Sequence, residues 1–229
     1  MFRRVAVAAI CFNLSCATAF QGIVSDEEIL EKLEFNQERI SSFRGMAKVY
    51  FSLNGKKGSV ETLMLGNQAG DFRIETGNFF GVPLTAMTIW QDTLTYYIIP
   101  EEKIYIGKPA EKVATQVLPL GLTPEDVKGL MLFSRRTYTK LKRDRVFKIE
   151  FDTLNKDDRT GFYYPAGFKL SRSGTEEYVL VRWEAFDLNP PPFPSSLFQI
   201  QKPAQARLYY VVDRHVTPLL KGTDQDDAP

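Results

Sequence analysis

The sequence predicts a mainly β (α+β) fold: one highly curved antiparallel sheet or incomplete β-barrel of about ten strands, with covering helices. Two observations predict it. Short segments in which apolar and polar residues alternate follow one another along the chain, as half-buried strands do, and turn signals such as Asn54-Gly55 separate them. Only two segments carry clear helix starts. No repeat is visible, and 229 residues fit one domain.

The two helix starts are marked by capping residues. Ser25, with Glu28 three residues later, forms a capping box, and a helical stripe of apolar residues follows it as far as Gly45. Thr123 caps a second helix, with Pro124 at its first position. The other periodic segments are predicted to be strands or extended: residues 47–53, 60–65, 72–76, 84–90, 94–99, 103–106, 137–142, 146–151, 168–172, 178–183, 197–200 and 206–212.

The first 19 residues have the three-part plan of a secretory signal: a basic start, a short apolar run and then small residues. Two cleavages compete. Ala17-Thr18-Ala19 fits release before Phe20, whereas Leu14-Ser15-Cys16 is similar to a lipoprotein box, in which Cys16 becomes the lipid anchor; Asn13 departs from that box. We favour lipidation of Cys16. Residues 20–220 are then the folded domain, and residues 221–229 are predicted to be a disordered acidic tail.

An apolar loop lies between two predicted strands. In Gly77-Asn78-Phe79-Phe80-Gly81-Val82-Pro83, the glycines, Asn78 and Pro83 are ordinary turn residues, but Phe79, Phe80 and Val82 are not. Such a tip either folds back over the barrel mouth or contacts a lipid or membrane. We assign these three apolar residues to a membrane-contact loop.

Composition and motifs exclude several classes of function. The net charge of +1 gives no reason to expect nucleic acid, and both cysteines lie in the signal region. His215 is the only histidine, no catalytic serine or phosphate-loop motif occurs, and the paired carboxylates lie in polar turns. We therefore predict no enzyme activity, no metal and no cofactor. The basic residues of segment 135–145 form either a solvated face or a surface for anionic lipid or an acidic partner.

A curved sheet rich in phenylalanine, methionine and leucine can leave an apolar cavity. Which alternate set of side chains points inward depends on the register of the strands. The residues assigned to the cavity lining are Phe51, Phe72, Ile74, Met87, Ile89, Leu130 and Phe133.

The order of these segments resembles the Lol lipoprotein-localisation family. The resemblance rests on Arg44-Gly45 at the first strand, on Asn78-Phe79-Phe80-Gly81, and on the Pro-x-x-Phe-x-Leu run from Pro165 to Leu170. It is nearer to the LolB-type outer-membrane receptor than to the LolA-type carrier. In the receptor type, the loop ends in Asn-Pro-Leu-Gly, and its exposed leucine touches the membrane. In this sequence, Phe80 corresponds to that leucine, and Phe79 stands where the receptor type has the proline.

The resemblance implies an incomplete barrel around a cavity for the acyl chains of lipoproteins. It implies a monomeric outer-membrane lipoprotein that faces the periplasm, accepts cargo from a LolA-type carrier and inserts it into the outer-membrane lipid. Transfer of this kind needs a gradient of affinity and no catalytic residue. Two alternatives stay open: a soluble periplasmic carrier or lipid sensor with the same fold, and a structural envelope lipoprotein with a filled interior.

Overall fold

A computed structural model describes residues 25–36, 39–108, 118–143, 146–212 and 215–218. The signal segment with Cys16 and the acidic tail lie outside these residues. The described helices are α1 (Asp26–Asn36), α2 (Pro124–Met131) and α3 (Arg135–Arg143). The strands, in chain order, are β1 (Ser42–Leu53), β2 (Lys56–Asn67), β3 (Phe72–Gly77), β4 (Pro83–Trp90), β5 (Thr93–Ile98), β6 (Lys103–Gly107), β7 (Phe147–Phe151), β8 (Leu154–Lys156), β9 (Tyr163–Pro165), β10 (Gly167–Arg172), β11 (Tyr178–Leu188), β12 (Arg207–Val212) and β13 (His215–Pro218).

Eleven of these strands form one large curved sheet. Its order is β13-β12-β6-β5-β4-β3-β2-β1-β11-β10-β7, and β8 and β9 form a separate two-stranded ribbon. All the pairings in the large sheet are antiparallel except that of β12 with β6. Because β13 and β7 are the two ends of this order, the sheet is not closed. The predicted fold, a curved antiparallel sheet forming an incomplete barrel, is confirmed.

The parallel pairing follows from a long crossover over the outer face of the sheet. After β11, Asn189 accepts backbone hydrogen bonds from Ser41 (2.7 Å) and Ser42 (3.2 Å). A short 3-10 helix then crosses the sheet, where Arg73 donates to the carbonyl of Leu197 at 2.6 Å. Phe198, in the same turn, is buried. The crossover delivers β12 to the free edge of β6.

Three predicted elements are wrong. The extended segment predicted at residues 197–200 begins in a 3-10 helix, Ser195–Phe198, whose Phe198 is buried. The helix predicted as far as Gly45 ends at Asn36, and Phe43 belongs to β1. The predicted strand at residues 137–142 lies in helix α3, because Tyr138 and Leu141, three residues apart, are buried together on one helical face. The two predicted helix starts are confirmed: Ser25 accepts from the Glu28 amide, and Thr123 caps α2.

The core lies between the concave face of the sheet and the helices. It contains Ile29 and Leu33 from α1, and side chains of α2 and α3 pack against the same inward residues of the strands. Gly45 is needed in β1 because a Cβ there would lie 2.7 Å from the Trp183 ring and 2.8 Å from the Phe186 ring. The Arg44-Gly45 motif thus marks a close approach of two aromatic rings to the backbone.

Candidate functional site

The inward side chains of the central strands lie in rows, because cross-strand partners face each other. A first row crosses β2 to β5 at Gly66, Phe72, Ile89 and Leu94. A second row follows at Met64, Ile74, Met87 and Tyr96, and a third at Thr62, Thr76, Thr85 and Ile98. The third row is the last before the β3–β4 loop.

Burial changes along these rows. Every residue of the first row is buried, whereas Ile74 and Tyr96 in the second and Thr76 and Thr85 in the third are half-buried. Phe72 packs against the ring of Phe43 at 6.1 Å. The space between sheet and helices is therefore closed at the first row and opens toward the end of the sheet that carries the β3–β4 loop.

That space contains a cavity of about 220 Å³. The sheet contributes one wall, from the inward faces of β1 to β5, β10 and β11. The other wall is formed by residues 118–122 and by Val127, Leu130 and Met131 of α2. Among the residues that the structure describes, this lining contains no charged side chain, and its side-chain polar atoms are the hydroxyls of Thr62, Thr76, Thr85 and Tyr96.

The seven residues assigned to the cavity from the sequence divide into two groups. Four of them line it: Phe51, Ile74, Met87 and Leu130. Phe72 and Ile89 lie outside the lining because they fill the closed first row. Phe133, beyond the end of α2, packs edge-on against Phe186 at 5.5 Å instead.

The hydroxyls in the lining were missed by sequence analysis. The Thr76 and Thr85 Oγ1 atoms lie 2.8 Å apart, and the Tyr96 hydroxyl lies close enough to Thr85 to interact with it. Burial raises the pKa of Tyr96, and the interaction with Thr85 only partly offsets this, so the phenol stays protonated at neutral pH. The available signal was a threonine at an inward position of three alternating strands, where an apolar residue is the usual choice.

Helix α2, which covers the cavity, is held by a capping box and one ion pair. Thr123 and Asp126 exchange hydrogen bonds of 2.8–3.1 Å, and the Lys140 ammonium of α3 lies 2.6 Å from Asp126 Oδ1. Burial acts to raise the pKa of Asp126, but hydrogen bonds from Lys140 and Thr123 outweigh it and hold the pKa below its ordinary value. The carboxylate therefore joins α2 to α3.

Replacing Asp126 with alanine should destabilise the domain by about 1–2 kcal/mol at pH 7, because the carboxylate half of the capping box and the half-exposed ion pair are both lost. The stabilisation by the Asp126 carboxylate is complete above the pKa of about 3.9 that an aspartate has in the unfolded chain. It is lost as the pH falls through the lower pKa that Asp126 has in the folded protein. Urea unfolding at pH 7 and pH 3 measures both effects. If Asp126→Ala lowered the free energy of unfolding by the same amount at pH 3 as at pH 7, the ionised Asp126 carboxylate would not be the source of this stabilisation.

The β3–β4 loop presents an aromatic pair to solvent. Phe79 is 73% exposed, Phe80 is 85% exposed, and Val82 is also exposed. The Asn78 side chain accepts the amides of Phe80 (2.9 Å) and Val82 (3.0 Å), and Gly81 adopts a positive φ of 74°. The loop thus has a defined backbone and does not fold back over the mouth of the cavity.

Charges near the loop and on α3 are mostly engaged within the protein. The Lys48 ammonium lies 5.4 Å from the centre of the Phe79 ring. On α3, Arg135 pairs with Glu34 at 2.9 Å, and Lys140 pairs with Asp126. For part of the basic segment 135–145, these pairings favour a role in stabilising the fold over a role in binding anionic lipid or an acidic partner. Within the described ranges, no helix is long and apolar enough to cross a membrane, and no group of three His, Cys, Asp or Glu side chains is placed to hold a metal.

No protein-family model matches this chain, and no curated protein matches its sequence significantly. Solved structures resemble it more clearly. A DUF1329 family protein from Desulfovibrio piger superposes with a TM-score of 0.50 at 14% identity, over 75% of this chain and 97% of that one. A protein named as an outer membrane lipoprotein-sorting domain, from Vibrio parahaemolyticus, gives 0.47 at 8% identity, over 72% and 93% of the two chains.

A LolA superfamily protein from Nitrosomonas europaea gives a TM-score of 0.43 at 8% identity, over 77% of this chain and 98% of that one. These two weaker superpositions do not bear on what this chain binds. At 14% identity, the first likeness concerns the fold alone. By its architecture, the chain shares the fold of the DUF1329 protein of Desulfovibrio piger.

Proposed function

We propose that this protein binds the acyl chains of lipoproteins in its cavity and localises or inserts them at the outer membrane, without catalysis. The observation that carries the proposal is an apolar cavity whose open end lies at the same end of the sheet as the exposed Phe79-Phe80 loop. An acyl chain leaving the cavity would emerge beside the loop that meets the membrane.

The energetics favour a hydrocarbon ligand. Each methylene removed from water contributes about 0.8 kcal/mol, so an acyl chain that crosses an aqueous compartment needs an apolar shield. The lining supplies that shield, since its described residues carry no charged side chain. A charged or strongly polar ligand would lose its hydration without finding a paired charge in return.

The size of the cavity limits what it holds in this conformation. Its volume of about 220 Å³ lies below the range of roughly 300–1,000 Å³ that is usual for pockets of drug-sized ligands. This space fits part of one acyl chain. We infer that a ligand with several chains enters only when α2 separates from the sheet, because Val127, Leu130 and Met131 form the facing wall.

Binding itself is tested with the mature chain and a fluorescent fatty-acyl ester. We expect saturable binding, a blue shift of emission and displacement by unlabelled acyl lipid. The absence of saturable binding would favour the structural envelope lipoprotein with a filled interior.

The membrane attachment is a separate part of the proposal and rests on Leu14-Ser15-Cys16. We expect Cys16→Ser to move the protein from the membrane fraction into the soluble periplasm, because the acyl anchor would be lost. Fractionation followed by mass spectrometry of the mature N-terminus measures this. Unchanged membrane fractionation, with an N-terminus at Phe20, would rule out the Cys16 anchor. Recovery of the unmodified protein in the soluble periplasm would favour the LolA-type carrier or lipid sensor.

A further inference from the structure

Three hydroxyl groups meet at the mouth of the otherwise apolar cavity. They belong to Thr76, Thr85 and Tyr96, which we call the hydroxyl cluster. The two threonine Oγ1 atoms lie 2.8 Å apart, and the Tyr96 hydroxyl lies close enough to Thr85 to interact with it. All three residues are half-buried and line the cavity. The cluster lies between the apolar interior and the exposed β3–β4 loop.

The hydroxyl cluster has one more O–H donor than its internal hydrogen bonds can use. Three hydroxyls carry three protons, and hydrogen bonds along this row of three groups can use at most two of them. Among the residues that the structure describes, these hydroxyls make no hydrogen bond outside the cluster. The remaining O–H can therefore donate to an acceptor that enters the cavity. A ligand with an oxygen at this depth would satisfy it.

We propose that the hydroxyl cluster donates this hydrogen bond to the carbonyl oxygen of an uncharged acyl ester or amide. The alkyl chain would then extend past Ile74 and Met87 toward the closed row at Phe72. This inference rests on the proposed function, because it names the ligand class of the same cavity. It assigns the cluster the role of recognising the head of the acyl chain and setting its depth.

An uncharged carbonyl suits the site better than the carboxylate of a free fatty acid. Within the described part of the chain, no cationic side chain lines the cavity to pair with a carboxylate. The negative charge of Glu101 also acts on Tyr96, since it contributes to the raised pKa of that phenol. A second anion beside Tyr96 would be repelled, whereas an ester or amide would not.

The test compares three ligands that differ only at the head of a sixteen-carbon chain: monopalmitoylglycerol, its hexadecyl ether analogue and palmitic acid. Each displaces a fluorescent acyl probe from the full mature chain at pH 8. We expect the ester to bind about fivefold tighter than the ether, which is the effect of one neutral hydrogen bond. Palmitate should bind more weakly than the ester.

The variants then locate the source of this preference. The triple variant Thr76→Val/Thr85→Val/Tyr96→Phe removes all three hydroxyls with little change of shape, because any hydroxyl that remained could still donate. It should bind ester and ether equally. Thr95→Val is the matched control, because Thr95 alternates with Tyr96 and lies on the outer face of β5. It should keep the fivefold preference. If the triple variant fails to fold, the comparison of ester with ether on the unmodified protein still tests the proposal.

Each other result overturns a distinct claim. Equal binding of ester and ether by the unmodified protein, or a preference that survives the triple variant, would overturn the role of the cluster while leaving acyl binding intact. Tighter binding of palmitate than of the ester would overturn the choice of an uncharged head group. Failure of all three ligands to displace the probe would overturn the proposed function itself.

Discussion

Replacing Ile74 with tryptophan should weaken binding of a fatty-acyl ester by about 30-fold. Ile74 lies in the second row, lines the cavity and is only half-buried, so the larger ring has empty space to occupy. The larger ring occupies space that would otherwise hold two or three methylenes of the ligand. Losing their burial removes about 2 kcal/mol of hydrophobic binding energy, which corresponds to a factor of about 30. The domain should melt within a few degrees of the unmodified protein, because little overpacking arises.

The control for this variant is Leu63→Trp. Leu63 lies on β2 between Thr62 and Met64 and faces away from the cavity, so the same bulky ring enters the protein on the outer face. Acyl binding should be unchanged in Leu63→Trp. Fluorescence titration and thermal melting of both variants decide the matter. Normal acyl binding by a well-folded Ile74→Trp variant would show that ligands do not use this cavity.

Replacing Phe80 with glutamate should abolish delivery of bound acyl ligand into vesicles while leaving the fold intact. Phe80 is 85% exposed, and a substitution at such a position usually changes stability by less than about 0.5 kcal/mol. Moving a phenylalanine side chain from water into an apolar environment contributes about 1.5–3 kcal/mol of favourable free energy. Moving a carboxylate there is unfavourable instead. Vesicle association should therefore fall by at least about tenfold, with acyl binding unaltered.

Phe80→Leu is the matched control, because leucine keeps an apolar group at the tip. It should deliver ligand nearly as well as the unmodified protein. The assay follows transfer of a fluorescent acyl ligand to liposomes, beside thermal melting of each variant. A large loss of melting temperature in Phe80→Glu would mean that Phe80 belongs to the core. Normal melting with normal transfer would mean that the loop has no part in insertion.

The sequence predicted the curved sheet because alternation is a local property of each strand. In β3, Phe72, Ile74 and Thr76 could be assigned to one face from their spacing alone. Where the cavity ends along that face could not be predicted. Phe72 is sealed by Phe43, which the sequence pattern placed in a helix, so the closed row depends on tertiary packing.

The helix α3 and the hydroxyl cluster were missed for different physical reasons. Thr137 and Tyr138 have strand propensity, but burial of Tyr138 and Leu141 on one helical face overrides it. Thr76 and Thr85 lie on separate strands, and they meet only because the β3–β4 register places them opposite each other. That register is specified by the loop between them and is invisible in either strand alone.

Mass spectrometry of the protein purified from membranes without organic solvent tests most directly whether the cavity holds an acyl ligand. We expect native spectra to show about one acyl ester or amide per chain, and organic extraction to release it. The same preparation of Ile74→Trp should carry little or none. Unmodified protein that is free of acyl lipid in its native spectra, and that also fails to bind an added acyl ester, would contradict the proposal.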